Sequence, residues 1–528
     1  MRSFRSKKRA SAHRVFVSAL ATALLLATSQ YSFAGENRND RSTANNAQNG
    51  KGSGKTPETP DRGRSVEKSN PSGKKLEVSE KSSVSINVVS KSKLTEMMWS
   101  KVGQLGRVTS VIEEINSFTM RLPNGNVKKL ASLDFVKSVN EDAARTAIPL
   151  RIAGETISTS ALTEINSWNL DMINVTEGND SGSPLERKVS YTGANTYVAV
   201  LDTGLLKSWR NYFDSDQIAV EYAAAFGGGG ADQGSISEQP NKWEQDQDSH
   251  GTHVTSTIIG YKFTEGRRVA GVAPDTSVIP VKVLGQNGSG WSSVIAHGIM
   301  HVAKLKEGPL ASKGVVINMS LGGPVLDGVE QAAIDYAIEA GVVIVASAGN
   351  SGEAGMGYPG AYGPVISVAA AGWTKEWEPF PTEDPRRWWR SLDVADPTSV
   401  NDIYITDFSS RAKPAQEGKP AQDLDVAAPG SWIIGPFQTN GQLSWYYLGG
   451  TSMAAPHVAG VVALMLQKNS GLSSEQVESI LETTALEIQA GSRNVRDGSG
   501  RPPVTVTWGA DATGAGLVLA DEAIRVTP

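Results

Sequence analysis

From Ser83 onward the chain alternates between apolar and polar positions in two periods. Val84, Ile86 and Val88 alternate as in a half-buried strand. Leu94 to Leu105 carries a helical pattern, and Val108 to Leu122 reads as two strands ending at the turn signal Pro123-Asn-Gly125. Val127 to Leu133 predicts a short helix and Val136 to Val139 a last strand. The order is close to a small βαββαβ domain over 83–145. Beyond Trp168, apolar strand patterns alternate with helical ones. Tyr197–Leu201, Ser277–Leu284, Val315–Met319, Val342–Ala346 and Val365–Ala369 predict strands. His250–Ile259, Ser292–Lys304, Val329–Ala340 and Ser452–Gln467 predict helices. Strands as continuously apolar as Val342-Val-Ile-Val-Ala346 suit burial on both faces. The alternation predicts an α/β fold with a mostly parallel sheet and helices on both faces.

The first 80 residues follow a different pattern. Residues 1–34 read as a secretory signal: a basic stretch from Met1 to Arg14, an apolar one from Val15 to Ser29, and small residues at Ser32 and Ala34. The apolar part is short for a membrane span, which needs ~20 residues, so cleavage is expected rather than anchoring. No later segment is long and apolar enough to cross a bilayer, so no membrane span is expected after signal removal. Residues 35–80 contain no aromatic residue, and their only Val, Leu or Ile are Val66, Leu76 and Val78. Such a segment buries too little apolar surface to offset its ordering entropy and predicts a disordered linker.

Composition narrows the chemistry. A length of 528 residues admits roughly two to four domains. A net charge of −5 gives no reason to expect nucleic acid as a partner. The absence of cysteine excludes disulfides, a thiolate nucleophile and cysteine zinc sites.

Three glycine-rich signatures carry the candidate chemistry. Asp202 ends the apolar run Val198-Ala-Val-Leu-Asp-Thr-Gly204, His250 opens His250-Gly-Thr-His-Val254, and Ser452 lies in Gly450-Thr-Ser-Met-Ala-Ala-Pro-His-Val-Ala-Gly460. Acyl transfer to a hydroxyl needs a base to take its proton and a carboxylate to orient that base. Each candidate falls at the end of a predicted strand or the start of a helix, where an ordered element holds it. Pro456 is read as part of the first helical turn, where a missing N–H costs little. His253, His297, His301 and His457 are read as structural, since no metal-ligand spacing joins them. An aspartic-peptidase reading of Asp202-Thr-Gly204 would need a second such motif on an apolar strand, and there is none.

These motifs, in the order Asp, His, Ser, resemble the subtilisin-like serine peptidases. The resemblance implies that Ser452 is the nucleophile, His250 the general base and then acid, and Asp202 its orienting partner. Val342-Val-Ile-Val-Ala-Ser-Ala-Gly-Asn350 resembles the family's oxyanion-hole strand, so Asn350 and the Ser452 backbone N–H would stabilise the developing oxyanion. Gly288, Ser289 and Gly290, with Ser320, Leu321 and Gly322, resemble the two edges between which family members hold an extended peptide. Ala348, Gly349 and Gly357 match positions around the primary specificity pocket, which leaves room for a large apolar side chain. An ordinary turn glycine stays open for Gly357, because the loop Ser351–Met356 is short. The resemblance covers 165–528 as a peptidase domain, beginning near Trp168-Asn-Leu-Asp-Met-Ile-Asn174.

By length and position, residues 83–145 resemble the family's inhibitory propeptide, with Val139-Asn-Glu-Asp142 similar to its acidic end. The implied protein is secreted, self-processed from a precursor, acts on extended polypeptides and is inhibited by its own propeptide. No cofactor is required for this chemistry. Family members often bind calcium in a loop after the histidine helix, but Tyr261-Lys-Phe-Thr-Glu-Gly-Arg-Arg268 is basic, so no metal residue is assigned.

Residues 373–406 depart from the family pattern as an insertion carrying Trp373, Trp377, Trp388 and Trp389 among Arg386, Arg387 and Arg390. Both a binding role and packing onto the domain stay open for it. Two other functions compete with the peptidase reading. A silent binding relative would lack an essential side chain, and none is missing. A small-ester hydrolase usually shows Gly-x-Ser-x-Gly, whereas Ser452 lies in Gly-Thr-Ser-Met-Ala.

Overall fold

The structure is a computed structural model that describes residues 83–147, 150–152, 164–165, 167–177, 186–227, 233–263, 268–377, 394–415, 421–438, 444–496 and 502–528. The expected signal (1–34) and linker (35–80) lie outside these residues. So do Trp388, Trp389, Arg386, Arg387 and Arg390.

The N-terminal part runs β1 (Ser83–Ser90), α1 (Glu96–Gly103), β2 (Arg107–Ile112), β3 (Ser117–Pro123), α2 (Val127–Ala131) and β4 (Val136–Glu141). Its strands form one antiparallel sheet in the order β2-β3-β1-β4. The alternation in β1 separates two faces. Ile86 and Val88 join Val102, Phe118, Met120, Leu122 and Leu130 in a core of the domain's own, while Val89 belongs to a second core built mainly from the larger domain.

Two short strands continue the chain, β5 (Ala144–Thr146) and β6 (Leu150–Ile152). The remaining helices are α3 (Trp168–Met172), α4 (His250–Ile259), α5 (Ser292–Glu307), α6 (Gly328–Glu339), α7 (Thr451–Lys468), α8 (Ser474–Thr484) and α9 (Ala520–Val526). The large sheet runs Ala224–Ala225, Ser277–Lys282, Thr196–Asp202, Gly314–Met319, Val343–Ser347, Ile366–Trp373, all in parallel pairs. Val426–Pro429 joins Ile366–Trp373 in parallel and Ile403–Ile405 joins it antiparallel.

Successive strand residues face opposite layers, as the pleat requires. Val198 and Val200 pack with α4 and α7 residues such as Val254, Ile258, Val458 and Val461. Ala199 and Leu201 pack with α5 and α6 residues such as Ile295, Ile299, Ala333 and Ile334. Helices therefore cover both faces, and the continuously apolar strands are explained by two-sided burial. Trp373 and Trp377 are buried in the first of these layers, with Trp377 5.0 Å from the Tyr447 ring and 6.2 Å from that of Trp432. These two members of the insertion pack the core.

Pro456 corrects the sequence reading. It is the sixth residue of α7, not part of its first turn. Its missing N–H would have bonded to the Ser452 carbonyl. That carbonyl instead accepts from the Ser320 hydroxyl at 2.8 Å, so no buried acceptor is left unpaired.

Candidate active site

In open α/β sheets, ligand sites form beyond the carboxyl ends of the strands. Asp202 ends Thr196–Asp202, Ser320 follows Gly314–Met319, and Asn350 follows Val343–Ser347. Two helices meet this edge with their N-termini. His250 is the first residue of α4, and Ser452 the second of α7. Gly251 makes the close approach of α4 possible, because a Cβ there would lie 2.4 Å from the Gly204 carbonyl oxygen.

The sequence candidates come together here. His250 Nδ1 lies 2.9 Å from both Asp202 carboxylate oxygens. Asp202 also accepts from the Thr203 N–H at 2.6 Å. The other ring nitrogen, His250 Nε2, is buried without a hydrogen-bond partner. Burial pulls the His250 pKa down, but the charge and hydrogen bond of Asp202, with Asp248 and Asp246 behind it, outweigh this and raise it above 6.5.

The Ser452 hydroxyl donates to the Ser320 carbonyl at 3.1 Å rather than to His250. The sequence reading expects a serine–base hydrogen bond, and this local acceptor takes its place. Asn350 turns its Oδ1 to the N–H and the hydroxyl of Thr451, each at 2.9 Å. That orientation directs its Nδ2 away from Thr451. The Ser452 N–H falls in the first turn of α7, where the helix supplies no acceptor.

The two predicted peptide edges enclose a strand of this same chain. β5 pairs antiparallel with Ser289–Trp291, with Thr146 opposite Ser289 and Arg145 opposite Gly290. On its other side Thr146 exchanges both backbone hydrogen bonds with Gly322, at 3.0 and 3.1 Å. The Ala147 N–H donates to the Gly288 carbonyl at 2.8 Å. Beyond the undescribed pair Ile148 and Pro149, β6 pairs with Trp445–Gly449, placing Leu150 opposite Gly449. The segment thus pairs with Gly322, two residues past Ser320, and with Gly449, three residues before Ser452, which is only 3% exposed. Leu321 is buried in the α5–α6 layer. Ala348 and Gly357 are joined by a 2.9 Å backbone bond, and Gly349, at φ +107°, donates to the Thr451 hydroxyl at 3.1 Å. A Cβ on Gly357 would lie 3.4 Å from the Gly323 carbonyl, so Gly357 does sit beside the peptide edge.

The other histidines are held as structural groups. His253 Nε2 meets the Ile433 and Tyr446 carbonyls at 3.1 and 3.2 Å, and burial lowers its pKa to about 3. His457 lies 2.8 Å from the Met453 carbonyl and 2.7 Å from Asn169 Nδ2, with its pKa pulled down by burial to about 4. His301 faces the Tyr222 carbonyl at 2.7 Å, and His297 stacks on Phe226.

The described residues of the stretch after α4 carry cations. Lys262 and Arg268 both pair with Asp214, at 2.5 Å each, so two cations occupy its carboxylate. Four of the five residues between them, 264–267, lie outside the described ones. Among the described residues one carboxylate group of metal-like spacing occurs elsewhere: Asp425, Glu478 and Glu482, with ligand atoms within 4.8 Å of one another.

Two features of the site escape sequence reasoning. Lys282 lies opposite Asp202 in the sheet register, is 2% exposed, and donates to the Thr203 carbonyl. Its signal is a lysine closing the buried strand Ser277–Lys282. Asp246, fully enclosed, accepts from the Ser249 N–H at 2.7 Å and the Thr252 hydroxyl at 3.0 Å, bracing the start of α4.

Comparison with known proteins adds a relationship to this geometry. The sequence profile of the Subtilase family matches residues 193–509. Subtilisin DY of Bacillus licheniformis is 34% identical over 303 residues, 56% of this chain and 86% of that protein. Subtilisin E of Bacillus subtilis (strain 168) is 33% identical over 309 residues, 57% of this chain and 64% of that one. Among solved structures, fervidolysin of Fervidobacterium pennivorans, described as a keratinolytic enzyme related to subtilisin, has a similar fold. Its TM-score is 0.57 at 24% identity, covering 86% of this chain and 63% of that one. The chain therefore spans less than two thirds of subtilisin E and of fervidolysin.

Proposed function

The chain belongs to the Subtilase family and is a serine-type endopeptidase, and from that premise we propose a secreted enzyme, made as a precursor that cuts itself, with Ser452, His250 and Asp202 as its catalytic residues. His250 Nε2 takes the proton of the Ser452 hydroxyl as the oxygen adds to the scissile carbonyl. Asp202 holds the opposite nitrogen and stabilises the imidazolium. Asn350 Nδ2 and the Ser452 N–H receive the oxyanion. His250 then protonates the leaving amine, and water hydrolyses the acyl-enzyme by the same steps in reverse. For this, the serine hydroxyl leaves the Ser320 carbonyl, a rotation about one side-chain bond. The chemistry as proposed uses no metal or cofactor.

One observation carries the reading. Residues 144–147 complete a three-stranded arrangement between the edges 288–291 and 322, the position of an extended polypeptide substrate. Residues 83–147 accordingly belong to the propeptide, held as an inhibitor in the cleft, and the maturation cut falls between Ala147 and Leu150. Ala348, Gly349 and Gly357 then receive a large apolar side chain on the acyl side of the cut bond. No helix of the described residues is long and apolar enough to cross a membrane.

The test compares the Ser452→Ala precursor with wild type, both without the signal, in a host lacking other peptidases. Wild type loses residues 83–147 and the variant keeps them. Equal processing of both would end the self-cutting reading. Retention by both would make 83–147 part of the mature enzyme.

A further inference from the structure

The side chain of Arg145 is completely buried, although it projects from a two-sided strand lying in a cleft. Its Nε donates to Glu330 Oε1 at 3.2 Å and one Nη to Glu330 Oε2. The same Nη donates to the Val325 carbonyl at 2.9 Å, and the other to the Ala144 carbonyl at 3.0 Å. Glu330 is itself fully buried, in the first turn of α6. Gly323 shapes the wall. A Cβ there would stand 2.8 Å from Arg145 Nη1 and 2.3 Å from the Ala144 carbonyl oxygen.

We propose that Glu330 is the specificity residue of a subsite that selects a basic side chain, arginine above all, in the substrate residue that pairs with Gly290. This rests on the reading of 144–147 as occupying the substrate's place. With Ile148, the first residue past Ala147, as the acyl residue at the cut, Arg145 stands at the fourth position on the acyl side. The propeptide therefore displays the side chain that the enzyme seeks in other proteins.

The physical argument concerns what remains when the segment leaves. Burial pushes the Glu330 pKa up, and the Arg145 charge and hydrogen bonds offset this only in part, so it stays raised. When the segment leaves, the carboxylate loses its cation, and any occupant that buries it again without supplying one leaves a charge uncompensated, which is costly. An arriving arginine restores the two-pronged pairing and the bond to the Val325 carbonyl. Lysine offers a point charge without the planar fork and fits less well. An apolar side chain leaves the acid unpaired, or forces it to hold a proton. A site built around a buried polar group rejects ligands that lack the partner. The surface around it carries no comparable demand, since β5 is otherwise held by backbone hydrogen bonds that any sequence supplies.

The experiment profiles mature wild-type enzyme with peptides that share one apolar acyl residue and vary at the fourth acyl-side position. Arginine there should exceed alanine and leucine by about 10² in kcat/KM, with lysine between. In Glu330→Gln and Glu330→Leu the arginine-to-alanine ratio of kcat/KM should collapse to near one. The ratio is read within each enzyme, so a general loss of activity does not imitate the result. No arginine advantage in wild type, or an undiminished one in both variants, overturns the proposal. If wild type cuts none of the peptides in a Ser452-dependent way, the peptidase assignment of this cleft fails instead.

Discussion

At the scale of single residues, the proposed mechanism makes His250 the group through which pH acts. To accept the serine proton it must be neutral. The nearby carboxylates raise its pKa above 6.5 despite burial, so the neutral form is lost on acidification earlier than for an ordinary histidine. For the mature enzyme, kcat/KM should fall about tenfold per pH unit below a midpoint above 6.5. A pH–rate profile checks this, and an acid midpoint well under 6.5 would contradict the electrostatics around Asp202. Asn350 makes a second residue-level prediction. Its Oδ1 is engaged with Thr451, so Asn350→Ala removes the donor on the opposite side of the amide. That donor matters most once the carbonyl oxygen becomes an anion. The variant should lose about 10²–10³ in kcat, the loss measured for one such donor in a subtilisin, with little change in KM. A change confined to KM would assign Asn350 to substrate binding instead.

At the scale of elements, the candidate site was legible where chemistry and local structure coincide in a short run of sequence. Asp202 closes an apolar strand, and His250 and Ser452 open helices among glycines, so each signature specifies both a side chain and the element that aims it. The strands and helices of the large domain were legible for a similar reason. Two-sided burial writes long apolar runs, and their alternation with helical patterns leaves few topologies. The unread contacts join distant elements. Glu330 lies on the apolar-patterned α6, 185 positions from Arg145, and nothing local to either marks the pair. Lys282 reads as the polar end of a strand until the register places it beside Asp202. Pro456 lies in the second turn whether α7 is counted from Ser452 or, as observed, from Thr451, so the first-turn reading fails by the count itself. The cost of the proline is offset by Ser320, which bonds to the freed Ser452 carbonyl from 132 positions away in sequence. Pairings of this kind follow from the assembled sheet rather than from any local propensity.

At the scale of the whole molecule, the small domain is fastened to the N-termini of two parallel-layer helices. Asp142 accepts from the Ser293 N–H and hydroxyl at 3.0 and 2.8 Å, capping α5 from outside. Asp327 caps α6, accepting from the N–H groups of Val329 and Glu330 at 2.8 and 3.2 Å. Asn87, on the face of β1 turned from its own core, donates to Asp142 at 3.1 Å and Asp327 at 2.9 Å. One asparagine thus ties together two helix caps. This matters for folding because the large sheet pairs strands far apart in sequence: Thr196–Asp202 lies between Ser277–Lys282 and Gly314–Met319. Closing such loops loses chain entropy before any contact offsets it. The small sheet is antiparallel and local, with its own core, and presents a ready surface on which α5 and α6 assemble. Denatured mature chain should therefore regain activity slowly alone and faster when residues 83–147 are added as a separate fragment. The same fragment should slow the folded enzyme by filling its cleft. Asn87→Ala in the fragment should weaken the acceleration more than it disturbs the fragment's own core. Refolding measured by recovered peptidase activity, after dilution of the bound fragment, decides the matter. Equal recovery with and without the fragment would show that the large domain closes its sheet unaided.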